Sequence, residues 1–343
     1  MKRASIAGAA AFAFTCFAFA AAAQEKSINL KFSYWIPPKH QLVPSTQAWG
    51  ESLAKATNGT VKVTIYPSNQ LGKGPDHYDM GKDGIADFVL VNPGYTPGRF
   101  PIVAAAELPF LTSGAINGSP GFDEWYRKYA SKEMKEVYTC ITFVHEPGTF
   151  HMTRKKVEVP DDVKGLKIRT GNATSSRLIS MLGGSPVAVE IAEARETLAR
   201  GIADGIMMPW EGLTLFRMTD VTRFHMENPL YVSIFTWNLY RKTYDSMSPR
   251  QRRALDDHCT TAWAKRISAE WAERDFTAIK QVKAMKDGRT VYSISPEQVA
   301  QWRKAAEPLK AQWAEAVTKA GYNADEVWSD LITALKKHGG LYQ

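Results

Sequence analysis

Apolar residues along the first half of the chain are spaced so that they predict strands alternating with helices. Side chains 28–34 alternate between apolar and polar, as in a strand with one buried face, and a similar strand follows at 61–65. Between the two strands, a helix is predicted from about Ser45 to Thr57, where an Asn-Gly pair supplies a C-terminal signal. This half is completed by a short helix at 77–83 and an apolar strand at 88–91.

The second half repeats this order of elements. A Gly-Ile-Ala-Asp motif occurs at 84–87 and again at 201–204, each time between a predicted helix and an apolar strand. Strands that alternate with helices form βαβ units and mainly parallel sheets, so the repeat predicts an α/β architecture that is built twice. The second half is predicted to contain strands at 166–169, 186–189 and 206–208 and helices at 175–182 and 192–200.

The last third of the chain has a predominantly helical pattern. Ser248 is an N-cap residue with Pro249 at the first helical position, and periodic apolar residues continue from there to Gly288. A single helix of roughly forty residues, at about 1.5 Å per residue, would be about 60 Å long and would reach across more than one lobe. A strand at 291–294 and helices at 296–320 and 324–336 are predicted to follow.

The N-terminus has the composition of a secretory signal peptide. Two basic residues follow the initiating methionine, residues 6–19 are apolar, and Ala21 and Ala23 form a small-residue cleavage pattern. The apolar stretch is short for a membrane span, and Cys16 lacks the preceding Leu and small residues of a lipid-modified cysteine. We therefore predict a signal peptide at 1–23, cleavage near Ala23, a periplasmic location and no direct membrane insertion.

Charge and cysteine content narrow the possible partners. The chain has 43 lysines and arginines against 35 acidic residues, but the basic residues are scattered and do not form a nucleic-acid footprint. Cys140 and Cys259 remain after removal of the signal peptide, the first in a strand-like run and the second in a predicted helix. An oxidising compartment would allow them to pair, but two cysteines are not a disulfide framework, and the pattern favours two separate buried thiols.

Motifs for catalysis and for cofactor binding are missing from the sequence. It contains no G-x-S-x-G nucleophile elbow, no glycine-rich dinucleotide or phosphate loop, and no HExxH metal motif. His145, Glu146 and His151 come nearest to a cluster, and their strand–turn context favours a structural role. No catalytic residue, metal or cofactor is predicted. A secreted hydrolase remains an alternative, because catalytic triads are assembled in space rather than along the sequence.

Several short segments, in this order and spacing, resemble the substrate-binding proteins of TRAP transporters, the periplasmic components of the DctP type. The segments are Thr57-Asn58-Gly59 with Val61–Tyr66, 67–72 (PSNQLG), 84–87 (GIAD), 163–169 (VKGLKIR), 183–186 (GGSP) and 203–205 (ADG). The resemblance covers essentially the whole mature chain. It implies a two-lobed α/β periplasmic binding protein fold with mixed, mostly parallel sheets and a long helix that spans both lobes.

The resemblance also implies how the chain is divided and what it contacts. Lobe I is expected to comprise residues 24–149 with 236–280, and lobe II residues 150–235 with 281–343. The expected partners are a small organic acid, captured by closure of the lobes, and the membrane permease subunits of a TRAP-type transporter. A soluble sensor that binds a receptor domain instead of a permease is an alternative that the sequence does not separate from transport.

Two polar residues in the second half are implied as ligand contacts. The family grips a ligand carboxylate with the arginine that ends the segment matching 166–169, which is Arg169 here. A guanidinium suits this role because its planar fork donates two parallel hydrogen bonds and stays charged. Asn172 matches a position that contacts the ligand in some members. From the residue pattern alone, Arg169 is equally compatible with a surface ion pair at a strand end.

Departures from the family pattern indicate the chemistry of the ligand. Phe150 stands where sialic-acid-binding relatives carry a second arginine, Met208 stands where they carry an asparagine, and Trp210 follows shortly after. Apolar walls with a few fixed polar groups suit a ligand with one carboxylate and a flat or apolar body. We therefore predict an aromatic or apolar monocarboxylate, such as a 2-oxo or 2-hydroxy acid, with a C4-dicarboxylate or a sugar acid as alternatives.

Further cleft residues are expected where the family lines its cleft. Asn92, just past the apolar strand of the first lobe, is expected to hydrogen-bond a hydroxyl or keto oxygen of the ligand. For any single aromatic residue the competing interpretation is core filling, because the chain contains 10 tryptophans. The other predicted cleft residues are Trp35, His40, Phe235 and Trp237.

Overall fold

The computed structural model describes residues 25–342, so the signal peptide predicted for residues 1–23 lies outside the described part of the chain. Within that part, no helix is both long and apolar enough to cross a lipid bilayer. The strands are β1 (Ile28–Ser33), β2 (Val61–Tyr66), β3 (Phe88–Val91), β4 (Val137–Val144), β5 (Thr149–Met152), β6 (Lys167–Arg169), β7 (Ser185–Val187), β8 (Gly205–Met208), β9 (Phe224–Met226), β10 (Ile234–Tyr240) and β11 (Thr290–Tyr292). The α-helices are α1 (Leu42–Ala56), α2 (His77–Asp83), α3 (Ala115–Glu133), α4 (Ala173–Met181), α5 (Ile191–Ala199), α6 (Trp210–Leu215), α7 (Arg241–Ser246), α8 (Pro249–His258), α9 (Thr261–Ala284), α10 (Pro296–Lys319) and α11 (Ala324–Lys337).

The strands form two sheets, and each sheet is the centre of one lobe. Lobe I contains the sheet with the order β2-β1-β3-β10-β4, and lobe II contains the sheet with the order β11-β9-β5-β8-β6-β7. Among the strands described, β10 and β5 run antiparallel to their neighbours, and the other pairs are parallel. The prediction of a two-lobed α/β fold with mixed, mostly parallel sheets is confirmed.

The antiparallel strands mark the places where the chain crosses between the lobes. It leaves β4 for β5 through residues 145–148 and returns from β9 to β10 through residues 227–233. The two crossings lie side by side, because the main-chain N–H of Gly148 donates to the carbonyl of Tyr231 at 2.8 Å. Paired crossing segments of this kind form a hinge about which two lobes can rotate as rigid bodies.

The repeated Gly-Ile-Ala-Asp motif has the same structural role in both lobes. In 84–87 and in 201–204 the glycine adopts a positive φ, +76° and +69° respectively, which ends the preceding helix without steric strain. The motif's aspartate then accepts from a neighbouring strand, from the Lys31 N–H of β1 in lobe I and the Lys167 N–H of β6 in lobe II, both at 2.9 Å. The motif therefore joins a helix end to an inner strand of the sheet in each half.

The long helix expected from Ser248 to Gly288 is interrupted. α8 ends at His258, and the Thr260 side chain caps a new helix by accepting from the N–H of Trp263 at 3.4 Å. The second helix, α9, has 24 residues, which corresponds to about 36 Å. It packs on α3 and β4 of lobe I and on α6 of lobe II. A long helix that spans both lobes is therefore confirmed, although it is shorter than predicted.

A disulfide bond occupies the interruption. Cys259 caps the end of α8 and is bonded to Cys140 in β4, with the two Cα atoms 4.6 Å apart. The expectation of two separate buried thiols is therefore wrong. The two cysteines are separated by 119 residues, so the proximity that decides their pairing arises only when the α8–α9 junction packs beside β4.

Of the two C-terminal helices, α10 connects the lobes and α11 packs on lobe I. Trp302, near the start of α10, packs on Phe150 in the core of lobe II with ring centroids 5.4 Å apart. Further along the same helix, Trp313 donates from Nε1 to the carbonyl of Pro101 in lobe I at 2.9 Å. α11 packs on α3 of lobe I. This differs from the expectation that residues 281–343 lie in lobe II.

Candidate ligand-binding site between the lobes

A cavity lies between the lobes, next to the hinge. Lobe I, lobe II and both crossing segments contribute to its wall, and the lining is mostly aromatic and aliphatic with a few polar groups. This is the usual composition of a small-molecule site. The lining residues are Trp35, Ile36, His40, Asn92, Tyr95, His145, Arg169, Gly171, Ile191, Met208, Pro209, Glu211, Gly212, Phe216, Tyr231, Ser233, Phe235 and Trp271.

Arg169 is a buried cation without an acidic partner. It ends β6 and is 3% exposed, and both Nε and Nη2 donate to the carbonyl of Val189 at 3.2 Å. Within residues 25–342, no carboxylate lies within ion-pair distance of its guanidinium. The alternative of a surface ion pair for Arg169 is therefore wrong. A buried charge is costly unless it is paired, so the site is suited to an anionic ligand that supplies the missing partner.

Two tyrosines stand beside this cation. Burial raises the pKa of Tyr95, and the nearby guanidinium of Arg169 opposes that shift. Burial also raises the pKa of Tyr231 well above its usual value. Both phenols are thus neutral at physiological pH and can act as hydroxyl donors. The Tyr231 hydroxyl also disfavours any residue larger than glycine at position 171, because a Cβ on Gly171 would lie only 2.8 Å from that oxygen.

Aromatic rings form the wall contributed by lobe I. Trp35 lies between Tyr95 and Phe235, with ring centroids 5.4 Å and 6.4 Å away. Phe235 in turn contacts Trp271 of α9, with centroids 5.5 Å apart. Rings at these separations and in tilted orientations pack favourably with one another and with a further flat ring. The wall is thus suited to a flat apolar body.

A second polar group in the cavity is centred on Glu211. Its Oε2 accepts from Trp271 Nε1 at 2.5 Å, and its main-chain N–H donates to Asp275 Oδ1 at 2.6 Å. His40 Nε2 lies 3.7 Å from the same Oε2. His40 Nδ1 accepts from the Leu42 N–H at 3.2 Å, so the imidazole proton is on Nε2 and faces the carboxylate. Burial lowers the pKa of His40, which keeps the ring neutral at pH 7.

The remaining polar side chains of the wall are held by the hinge and by a turn. His145 donates from Nδ1 to the carbonyl of Glu146 at 2.6 Å and accepts at Nε2 from the Ser233 N–H at 2.9 Å. Burial lowers the pKa of His145 to about 4, so it connects the two crossings as a neutral ring. Asn92 Oδ1 accepts from the Gly94 N–H at 3.0 Å, which fixes the side chain at the end of β3.

Six of the ten predicted site residues line the cavity. They are Trp35, His40, Asn92, Arg169, Met208 and Phe235.

Phe150 and Trp210, predicted to wall the pocket, face away from it. Phe150 is opposite Met207 in the β5–β8 pair, and both side chains are in the core of lobe II, whereas Met208 points into the cavity. Successive side chains of a strand point to opposite faces, so one position decides between cavity and core. Trp210 packs edge-on against His151, with centroids 4.9 Å apart. The cavity is lined instead by the Glu211 that follows it.

Trp237 and Asn172 are also placed outside the cavity. Trp237 shares a strand face with Phe235 but lies two residues further along β10, in the core of lobe I against Phe32 and Trp49. Asn172 caps α4 by accepting from the Ser175 N–H at 2.8 Å, and it donates to the carbonyl of Val232 at 3.1 Å. Its amide therefore stabilises the contact between lobe II and the hinge, beside an adjoining groove.

Several lining residues were not identified from the sequence. Tyr95 and Glu211 follow the carboxyl ends of β3 and β8, where ligands of open α/β sheets bind, so that rule is a usable signal for both. Tyr231 lies in a hinge segment that has no periodic pattern. Trp271 has helical spacing typical of a core residue, and nothing local distinguishes it from one.

The family is established by comparison with known proteins. Residues 32–316 match the model of the DctP family, described as bacterial extracellular solute-binding protein, family 7. This match covers most of the chain, and the chain therefore belongs to the DctP family of TRAP solute-binding proteins. The predicted resemblance is confirmed.

Solved structures of similar proteins have the same fold. A TRAP solute-binding protein from Rhodoferax ferrireducens in complex with benzoate is 26% identical, with a TM-score of 0.86 over 91% of this chain and 99% of that one. A marine metagenome protein specific for aromatic acids, in complex with meta-hydroxyphenylacetate, is 28% identical with a TM-score of 0.85 over 91% and 99%. A Bordetella bronchiseptica protein with bound mandelate is 27% identical with a TM-score of 0.84 over 90% and 99%.

Proposed function

We propose that this protein is the periplasmic component of a TRAP-type transporter and that it captures an aromatic monocarboxylate by closure of its two lobes. The observation that carries the proposal is the buried, unpaired Arg169 in a cavity with aromatic walls. A carboxylate of the ligand neutralises the guanidinium through a bidentate hydrogen-bonded pair. The flat body of the ligand packs against Trp35, Phe235 and Met208.

The similar structures support the aromatic part of the proposal. Three of them, at 26–28% identity, contain benzoate, meta-hydroxyphenylacetate or mandelate. The cavity of this chain contains one arginine, whereas a C4-dicarboxylate presents a second carboxylate for which the described lining residues offer no second cation. A role in transport rather than sensing is proposed from the family, and a gene for a TRAP-type permease beside this one would support it.

The proposal is tested by a thermal-shift screen of the mature protein followed by calorimetry on the compounds that stabilise it. The panel contains benzoate, hydroxybenzoates, phenylacetates and mandelate, together with succinate and glucuronate. A true ligand at a hundred times its Kd stabilises the folded state by about 2.7 kcal/mol. Tight binding of succinate or glucuronate with no response to aromatic acids would overturn the proposed ligand class. Recovery of a chemically altered ligand after incubation would overturn the proposed role as a binding protein.

A further inference from the structure

Glu211 is an acidic side chain in the wall of a cavity that is proposed to bind an anion. It is 6% exposed. Two hydrogen bonds position it: Trp271 Nε1–H donates to its carboxylate, and its main-chain N–H donates to the Asp275 carboxyl. The charged atoms of Glu211 and Arg169 lie more than 4.0 Å apart, and within the described residues no ion pair joins them. The two charges of the cavity are thus separate, and each faces the ligand volume.

The neighbours of Glu211 leave it as the acceptor at this end of the cavity. His40 is neutral, with its Nε2–H directed towards the carboxylate. Burial raises the pKa of Asp275 to about 8, so this carboxyl is protonated at neutral pH. Burial also raises the pKa of Glu146, a residue of the first crossing segment that interacts electrostatically with Asp275. Consequently, the Glu211 carboxylate is complemented by a ligand that carries a hydrogen-bond donor.

A buried carboxylate discriminates strongly among groups that are brought against it. A ligand hydroxyl donates a charge-assisted hydrogen bond to it, which is among the stronger kinds. Trp271 already donates to Oε2 of Glu211, but none of the described residues donates to Oε1, so a C–H group placed there leaves that oxygen desolvated and unpaired. A second ligand carboxylate is repelled, since like charges at close range in a buried site disfavour each other.

We propose that Glu211 is a specificity-determining residue of this site. Its carboxylate accepts a hydrogen bond from a hydroxyl group of the aromatic acid whose own carboxylate is held by Arg169, and it excludes ligands that carry a second carboxylate there. The preferred substrate class is therefore hydroxylated aromatic monocarboxylates. This inference rests on the proposed function and makes it narrower.

The test compares ligands that differ only in the group facing Glu211. Calorimetry on the mature protein measures benzoate, 3- and 4-hydroxybenzoate and the two corresponding benzenedicarboxylates, and also phenylacetate against mandelate. The wild-type protein is expected to bind at least one hydroxylated acid about tenfold more tightly than its unsubstituted parent, since a hydrogen bond to a charged group contributes that much or more. The dicarboxylates are expected to bind most weakly.

Glu211→Gln is expected to change the two ligand classes in opposite directions. The affinity for the hydroxylated acid falls several-fold, and the affinity for a benzenedicarboxylate rises, which misfolding of the variant does not produce. Glu193→Gln is the matched control, because Glu193 is exposed on α5 in the same lobe and does not line the cavity. If the ratios between the Kd values of these ligands are the same in Glu211→Gln as in the wild type, the inference is overturned and the proposed function stays intact. If the wild-type protein binds none of these acids, the proposed function fails and this inference fails with it.

Discussion

At the scale of single residues, the site is defined by how its charges are satisfied. Arg169 is buried without a carboxylate partner, whereas Arg127 and Arg289 are each paired with an aspartate. The Asp123 carboxylate, for example, is 0% exposed and accepts from Arg127 at 2.7 Å and from Thr261. An unpaired buried cation beside such paired ones is therefore the candidate group for binding a ligand anion.

Substitution of Arg169 is expected to remove most of the affinity for the ligand. Arg169→Ala leaves the ligand carboxylate buried without a partner, which costs about 3–5 kcal/mol, and affinity should therefore fall by at least a hundredfold in calorimetry. Arg169→Lys is expected to recover only part of it, because an ammonium cannot form the bidentate fork. Arg177→Ala is the control, since Arg177 lines the neighbouring groove and not the cavity. An Arg169→Ala variant with wild-type affinity would contradict the assignment.

Asp275 makes the stability of the folded state depend on pH. Burial raises its pKa from 3.8 to about 8, so the folded state holds a proton that the unfolded state releases between these values. This contribution to stability is therefore present at low pH and is lost as the pH rises towards 8, by up to about 1.4 kcal/mol per pH unit. Asp275→Asn keeps an acceptor for the Glu211 N–H but does not titrate. In urea unfolding, the free energy of unfolding of the variant minus that of the wild type should be larger at pH 8 than at pH 5. Equal differences at both pH values would contradict this interpretation.

At the scale of elements, the cavity depends on strand ends, crossing segments and one interrupted helix. The carboxyl ends of β3 and β8 carry Tyr95 and Glu211, β6 ends in Arg169, and the two crossings carry His145 and Tyr231. Parallel strands with a repeated helix–strand junction bring these ends to the same side of each lobe. α9 then adds Trp271 from outside the sheets.

The disulfide at the α8–α9 junction is expected to contribute to stability and not to binding. It closes a loop with a sequence separation of 119 residues, and cross-links of this size typically contribute 2–5 kcal/mol, mainly through the unfolded state. Cys140→Ser with Cys259→Ser should therefore lower the free energy of unfolding by about that amount in denaturant titrations. The Kd for the ligand should stay within about twofold, because neither cysteine lines the cavity. The wild-type protein under reducing conditions should behave like the double variant, and a large change in Kd would contradict the structural role.

At the scale of the whole molecule, the two lobes are held against each other around the cavity. Asn69 of lobe I donates to Glu190 of lobe II at 3.1 Å, and Thr174 of lobe II donates to Glu107 of lobe I at 3.3 Å. Within this arrangement, Arg169 is removed from water without receiving a counter-charge. Closure without a ligand is therefore energetically unfavourable at this one residue, and a bound carboxylate removes that cost.

Ligand binding is therefore expected to make the molecule more compact. Small-angle X-ray scattering with a saturating aromatic acid should give a smaller radius of gyration than scattering without it, because the ligand contacts both lobes and favours the closed arrangement. Arg169→Ala should show no such decrease at the same ligand concentration. An identical radius for the wild-type protein in both conditions would contradict closure by the ligand.

Much of the architecture could be predicted from the sequence because its determinants are local. Alternation of apolar residues, N-cap residues such as Ser248 and glycines at helix ends operate within a few residues, and they located most strands and helices to within a few positions. The repeat at 84–87 and 201–204 indicated two similar halves. Arg169 was predicted as a ligand contact through the resemblance of segment 166–169 to the family, since the residue pattern alone was equally compatible with a surface ion pair.

The remaining features were decided only by the tertiary structure, because they depend on contacts between distant parts of the chain. Whether Phe150 or its neighbour faces the cavity depends on the phase of β5 relative to β8, since a shift of one residue reverses every side chain. The bond from Cys140 to Cys259 and the break in the long helix both require α8 to end beside β4. Glu211 and Trp271 are separated by 60 residues and become one polar group only where α6 meets α9. Periodicity determined the elements of this protein, whereas packing determined which side chains line the cavity.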